Sequence, residues 1–78
     1  MKRSVMFDFP SELVTDPVIY NLGMQFGLVT TIHSANITRD KGWMIVELEG
    51  EEEDIERGIA WVTGKGVKVE PADDFVES

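Results

Sequence analysis

The residues able to do chemistry in this chain are few. His33 is the only histidine, and it lies in the polar stretch Thr30-Thr31-Ile32-His33-Ser34. As a general base it would need a positioned partner and a pKa near working pH, and no Ser or Lys arrangement supplies one. As a metal ligand it would need carboxylates such as Asp8 or Glu47 to converge on it. A partly exposed structural histidine on a strand is the expectation. Glu51-Glu52-Glu53-Asp54 reads as a solvated helix start, because acids in a first turn complement the positive end of the helix dipole. Gly64-Lys65-Gly66 lacks the six-residue frame and the following Ser or Thr of a phosphate loop, and reads as a turn that ends a helix. With no cysteine, the chain offers no disulfide, thiolate zinc site, iron–sulfur ligand or Cys nucleophile. The expectation is a protein that is not an enzyme and has no cofactor and no resident metal.

The elements that must position these residues follow from periodicity. Val5, Phe7 and Phe9 alternate with Ser4, Met6 and Asp8, a strand pattern closed by Pro10. Asp16-Pro17 signals a helix start, with Asp16 as cap and Pro17 in the first helical position. Val18, Ile19, Leu22 and Phe26 share one face of that helix; Gly23 is read as a close-packing residue and Gly27 as its left-handed cap. Leu28 to Thr38 is a long strand, Arg39 to Gly42 a turn with Gly42 able to take positive φ, and Trp43 to Glu49 a regular strand completing a hairpin. Ile55, Ile59 and Val62 recur at helical spacing, and Val67 to Glu70 forms a short final strand.

This βαββαβ order predicts an α+β, ferredoxin-like split βαβ sandwich. A four-stranded antiparallel sheet in the order 4-1-3-2 carries both helices on one face. The expected core is Val5, Phe7, Phe9, Val18, Ile19, Leu22, Phe26, Met44, Val46, Leu48, Ile55, Ile59, Val62, Val67 and Val69. The other sheet face stays open, and there Met6, Trp43 and Ile45 would present an exposed apolar patch, a candidate homodimer interface. Trp61, next to core Val62, is expected to flank the core.

Length and charge narrow the partners. Seventy-eight residues hold one core and little more. Residues 1–71 form the expected domain and 72–78 a mobile acidic tail. Fifteen acidic against seven basic residues give a net charge of −8, which repels nucleic acid and anionic membrane surfaces. No apolar run reaches the roughly 20 residues of a membrane span, so direct membrane insertion is not expected and the cytosol is the expected compartment.

The segments Phe26 to Ile37, Gly42 to Gly50 and Ile55 to Glu70, with the Asp16-Pro17 helix opening, resemble the NIL domain over nearly the whole chain, from about Arg3 to Pro71. The resemblance implies an ACT-like, ferredoxin-like fold. In that family the domain sits at the C-terminus of the ATP-binding subunit of bacterial methionine importers, pairs as a dimer and binds methionine, which inhibits transport. It also occurs fused to ferredoxin-type cluster domains and as short free-standing proteins, the kind this chain is most similar to. Carried over by position, the ligand site falls on Thr30, Thr31, Ile32, His33 and Ser34, with Leu13 to Asp16 as a weaker addition. The Asn-Ile-Leu signature corresponds to Thr31, Ile32 and His33 here, of which only Ile32 agrees.

Two classes of function follow. The first is a dimeric regulatory module that binds a small, methionine-like amino acid and acts on a transporter or on sulfur amino acid metabolism. The alternative is a ligand-free interaction subunit that docks a transporter ATPase, a ferredoxin or an enzyme. An acylphosphatase-like activity would need an Arg after the first strand, where the chain has Pro10, Ser11 and Glu12.

Overall fold

Strand β1 (Lys2–Phe9) runs through the interior of the sheet with Val5, Phe7 and Phe9 turned into the core and Lys2, Met6 and Asp8 turned away. The computed structural model describes residues 1–10, 17–38 and 41–72. The remaining elements are α1 (Val18–Phe26), β2 (Val29–Ile37), β3 (Gly42–Glu49), α2 (Glu52–Gly64) and β4 (Lys68–Pro71). The sheet order is β2-β3-β1-β4, all pairs antiparallel, which is the expected 4-1-3-2 order read from the other edge.

The core lies between one sheet face and the two helices. Val5, Phe7, Phe9, Val46 and Leu48 meet Val18, Leu22, Ile55 and Val62, while Ile19, Phe26, Met44, Ile59 and Val69 pack at its margin, half-buried. Two core residues escaped the periodicity. Leu28, read as a strand residue, is wedged between the helices and the loop after β3. A Cβ on Gly58 would lie 3.0 Å from one of its methyls and a Cβ on Gly50 would lie 2.9 Å from the other. Close packing is therefore the role of Gly58 and Gly50. Gly23, to which the sequence pattern assigned it, would bring a Cβ no nearer than 3.5 Å to the Leu28 carbonyl. Ala72, counted as the first residue of the tail, is buried and donates its N–H to the Ser4 carbonyl at 3.1 Å, extending the β4 ladder. Tail residues 73–78 lie outside the described residues.

The helix ends mostly follow the sequence signals. Gly27 takes φ 66° and donates its N–H to the Gly23 carbonyl, the left-handed cap. Pro17 stands one position earlier than expected, as the N-cap, and its carbonyl accepts the first helical bond from Asn21 N–H at 3.0 Å. The cap assigned to Asp16 lies outside the described residues, as do Arg39 and Asp40 of the hairpin turn. Glu52, Glu53 and Asp54 fill the first turn of α2. The helix ends through Gly64-Lys65-Gly66, with Gly66 at φ 103°.

Candidate functional site

The β2–β3 hairpin is closed where Thr38 N–H and Oγ1 both donate to the Lys41 carbonyl at 2.8 Å. Gly42, expected to supply a positive φ, instead opens β3 in extended backbone. A Cβ there would approach Ile37 Cδ1 to 3.0 Å, a contact the exposed Ile37 side chain could relieve by shifting a few tenths of an ångström. The hairpin then runs in register from Ile37 opposite Gly42 to Val29 opposite Glu49, with one break. Ile32 pairs with Val46 and Ser34 with Ile45, so His33 is the extra residue of a β-bulge.

The bulge decides where the site residues point. Thr30, Ile32, Ala35 and Ile37 lie opposite Leu48, Val46, Met44 and Gly42 and so share the helix side of the sheet. Val29, Thr31, Ser34 and Asn36 lie opposite Glu49, Glu47, Ile45 and Trp43, on the open side. The five consecutive candidates Thr30 to Ser34 are thus divided between two faces. His33 reaches the open side, where its Nε2 stands 3.6 Å from Glu47 Oε1; Glu47 also meets Lys2 Nζ at 4.0 Å. Asp8 lies on a different cross-strand row, beside Trp43 and Lys68, so the second carboxylate considered for His33 does not converge on it. Among the described residues no group of three or more His, Asp or Glu side chains is placed to hold a metal ion.

The second set of candidates does come together. Met6, Asp8, Trp43 and Ile45 line a shallow depression of about 250 Å³ on the open sheet face. One expectation is corrected there. Ile45 is only 8% exposed, and Met6 and Trp43 are half-buried. Ile45 lies in an interior strand between Met6 of β1 and Ser34 of β2, with the long side chains of Trp43 and Glu47 before and after it on the same face. The neighbours cover it without a second layer. Trp61 flanks the core as expected, its ring 5.9 Å from that of Phe26 and with Lys65 Nζ 5.0 Å above it.

The exposed apolar surface lies instead along β2. Val29 is 60% exposed, Ile32 51% and Ile37 46%, and from Thr31 to Ile37 every residue is exposed. The cause is a mismatch of lengths. Nine residues of helix α1 span about 13 Å, whereas nine residues of strand span about 30 Å, so the helix shields only part of the strand it precedes. Among the described residues, the outer edge of β2 has no strand beside it. A signal for the bulge was present in the sequence. The apolar residues Ile32, Ala35 and Ile37 are spaced three and then two apart, which a regular strand cannot place on one face. On α1, Tyr20 and Met24, one turn apart, are exposed as well.

An antiparallel β2-β3-β1-β4 sheet under two helices, with one long edge bare, defines a ferredoxin-like α+β domain. The family model of the NIL domain matches residues 3–71, and the chain belongs to that family. Among solved structures, the C-terminal domain of an ABC transporter ATP-binding protein from Enterococcus faecalis is similar in fold. Its TM-score is 0.81 at 23% sequence identity, over 91% of this chain and 83% of that one. No curated protein matches the chain. No helix among the described residues is long and apolar enough to cross a membrane.

Proposed function

We propose that this NIL domain is a regulatory module that pairs with a second copy along β2, holds a small methionine-like amino acid beside that strand, and acts on an ABC transporter ATP-binding subunit. The observation that carries the reading is the composition of the bare edge. β2 is nine residues long and contains no Asp, Glu, Lys or Arg, in a chain of net charge −8. Exposed edges are ordinarily blunted by charge, Pro or brevity, because a row of free N–H and C=O groups recruits any other strand. An uncharged edge lets two strongly acidic copies meet at the place where their repulsion is weakest. The family and the structural likeness to a transporter ATP-binding protein's C-terminal domain support the direction of the regulation. A module of this kind acts in the cytosol, where such ATP-binding subunits work, and performs no catalysis of its own.

The amino acid would lie where strand pairing brings Thr30 to Ser34 of two copies together. The Thr31 and Ser34 hydroxyls and the His33 imidazole, on the open face, can hydrogen-bond its carboxylate and ammonium groups, while Ile32, on the helix face of the same edge strand, can meet its apolar part only around the strand's outer edge. Sedimentation equilibrium combined with calorimetric titration of methionine tests both halves. A dimer that takes up one amino acid per copy or per pair is the expected result. A monomer at all concentrations, or no heat and no thermal shift at millimolar methionine, rejects the corresponding half. The departure at Thr31 and His33 from the family signature favours a second reading, a ligand-free subunit that offers β2 to a partner's strand. In that case the transporter subunit or ferredoxin-type partner binds equally well with and without methionine.

A further inference from the structure

We infer that the cleft between α2 and the β1–β4 corner of the sheet is a binding site for a small organic monocarboxylate with a compact apolar tail. The site lies on the β4 side of the sheet, away from β2, and does not depend on the edge reading. The cavity measures about 390 Å³, at the low end of the range for small-molecule sites, roughly 300–1,000 Å³.

Its shape follows from the strand register. Val5 faces Pro71 and Phe7 faces Val69, so Arg3, Val5, Val69 and Pro71 line up on the helix side, where Ile59 of α2 completes the wall. β4 is four residues long and ends at Pro71. Past the bond from Ala72 N–H to the Ser4 carbonyl, Arg3 has no neighbouring strand on that side among the described residues. A gap is left under the helix. Val5 is buried and forms the floor; Ile59 and Val69 are half-buried and form the sides.

The charge at the site is unusual for this molecule. Lys2 meets Glu47, Arg57 meets Asp54 at 3.6 Å, Lys68 meets Glu70 at 3.5 Å, Lys65 lies over the Trp61 ring, and Lys41, without an ion pair among the described residues, is exposed to water. Arg3 is half-buried and makes neither an ion pair nor a side-chain hydrogen bond among the described residues, although the chain carries fifteen acidic side chains. A partly desolvated guanidinium favours an anion, and its planar fork of donors matches a carboxylate. Only one guanidinium is present and the walls are apolar. Glu70 at the rim is offset by Lys68. These features select a singly charged anion with a hydrocarbon tail and disfavour phosphate groups.

Isocaproate is a suitable probe, titrated into the full isotope-labelled chain and followed by backbone amide shifts, with isoamylamine and inorganic phosphate as controls. A ligand of this size should bind at about millimolar affinity. Saturable shifts clustered on Arg3, Val5, Ile59 and Val69, absent with the amine and with phosphate, are the expected result. Arg3→Gln should weaken binding about tenfold or more, Arg3→Lys by less, because a lysine keeps the charge and loses the fork. Ile59→Phe fills the cleft and should abolish binding; an unchanged amide spectrum elsewhere shows that each variant is folded. No saturation by about 10 mM isocaproate, an equal response to either control, or affinity unchanged in Arg3→Gln overturns the assignment.

Discussion

At one edge of the sheet lies β4, four residues long, with Lys68 and Glu70 paired on its open side and Pro71 at its end. At the other lies β2, nine residues long, uncharged, bulged at its centre and exposed on both faces over most of its length. The first edge carries three of the devices by which sheets avoid unwanted pairing: brevity, charge and proline. The second carries one, the bulge. Because both edges belong to one small sheet under the same pair of helices, the contrast is not a matter of overall stability. It sets β4 apart as an edge that closes the fold; under the proposed function, β2 is the edge that another chain would meet.

The largest effect expected of breaking this contrast is on association. Ile32→Lys puts on β2 the kind of charge that β4 already has. If two copies pair along β2, each brings a lysine to the seam, and the dissociation constant should rise at least about a hundredfold, near 2.7 kcal/mol. Ile32 is 51% exposed, so the monomer's own stability should change by less than about 0.5 kcal/mol. Sedimentation equilibrium and urea melts of the same sample separate the two quantities. Association unaltered by the lysine would show that β2 is not the seam.

The helices next to the two edges sharpen the comparison. α2, which touches β4, is fitted tightly. Gly58 is buried in it, and a Cβ there would stand 3.0 Å from Leu28 and 3.1 Å from Leu22. Gly58→Val should overpack this contact by about 2 kcal/mol, a fall in Tm of roughly 10 °C for a domain this size. α1, which touches β2, meets α2 through that same Leu22, but at Gly23 it is less tightly fitted. Gly23→Ala meets only ordinary contact and should stabilise the chain by about 0.5–1 kcal/mol through helix propensity. Thermal melts of the two variants check the signs. A destabilised Gly23→Ala would mean that α1 is packed as tightly at Gly23 as α2 is at Gly58.

The same contrast explains which parts were legible in the sequence. Period-two alternation in β1 and β3 and period-four spacing in the helices are written by the core. They gave the element order, the strand order and the core residues on those elements, because one-sided burial forces that pattern. β2 has almost no buried side chains, so nothing enforces alternation there. Its bulge was visible only as the irregular spacing of Ile32, Ala35 and Ile37. Leu28 escaped because its burial is created by two distant glycines, Gly50 and Gly58, and not by its own strand. Ile45 was assigned to the correct face. Its burial, however, depends on the sizes of neighbours on three strands, which no single segment records. Arg3 and its cleft were illegible for a related reason. An unpaired charge is defined by the positions of all the acidic groups, and these are known only once the chain is folded.

The smallest effect tests whether the bulge is held by electrostatics or by packing. His33 and Glu47 approach to 3.6 Å with side chains 35% and 24% exposed, and Glu47 shares its charge with Lys2. Pairs this accessible to water are worth well under 1 kcal/mol. Glu47→Gln removes one negative charge from a chain of net charge −8, which slightly relieves its self-repulsion and opposes the loss of the pair. The net change should be below about 0.5 kcal/mol. A double-mutant cycle with His33→Asn should give a coupling of the same small size. A coupling above about 1 kcal/mol would mean that the His33–Glu47 contact pins the bulge. The phase of the whole outer half of β2, and with it the face on which Ile37 and Asn36 appear, would then be set by one histidine and one glutamate. With the expected small coupling, the phase is set by packing. Ile37 lies against Gly42 and Ile32 is paired with Val46, and the one residue that fits neither side is pushed out between them.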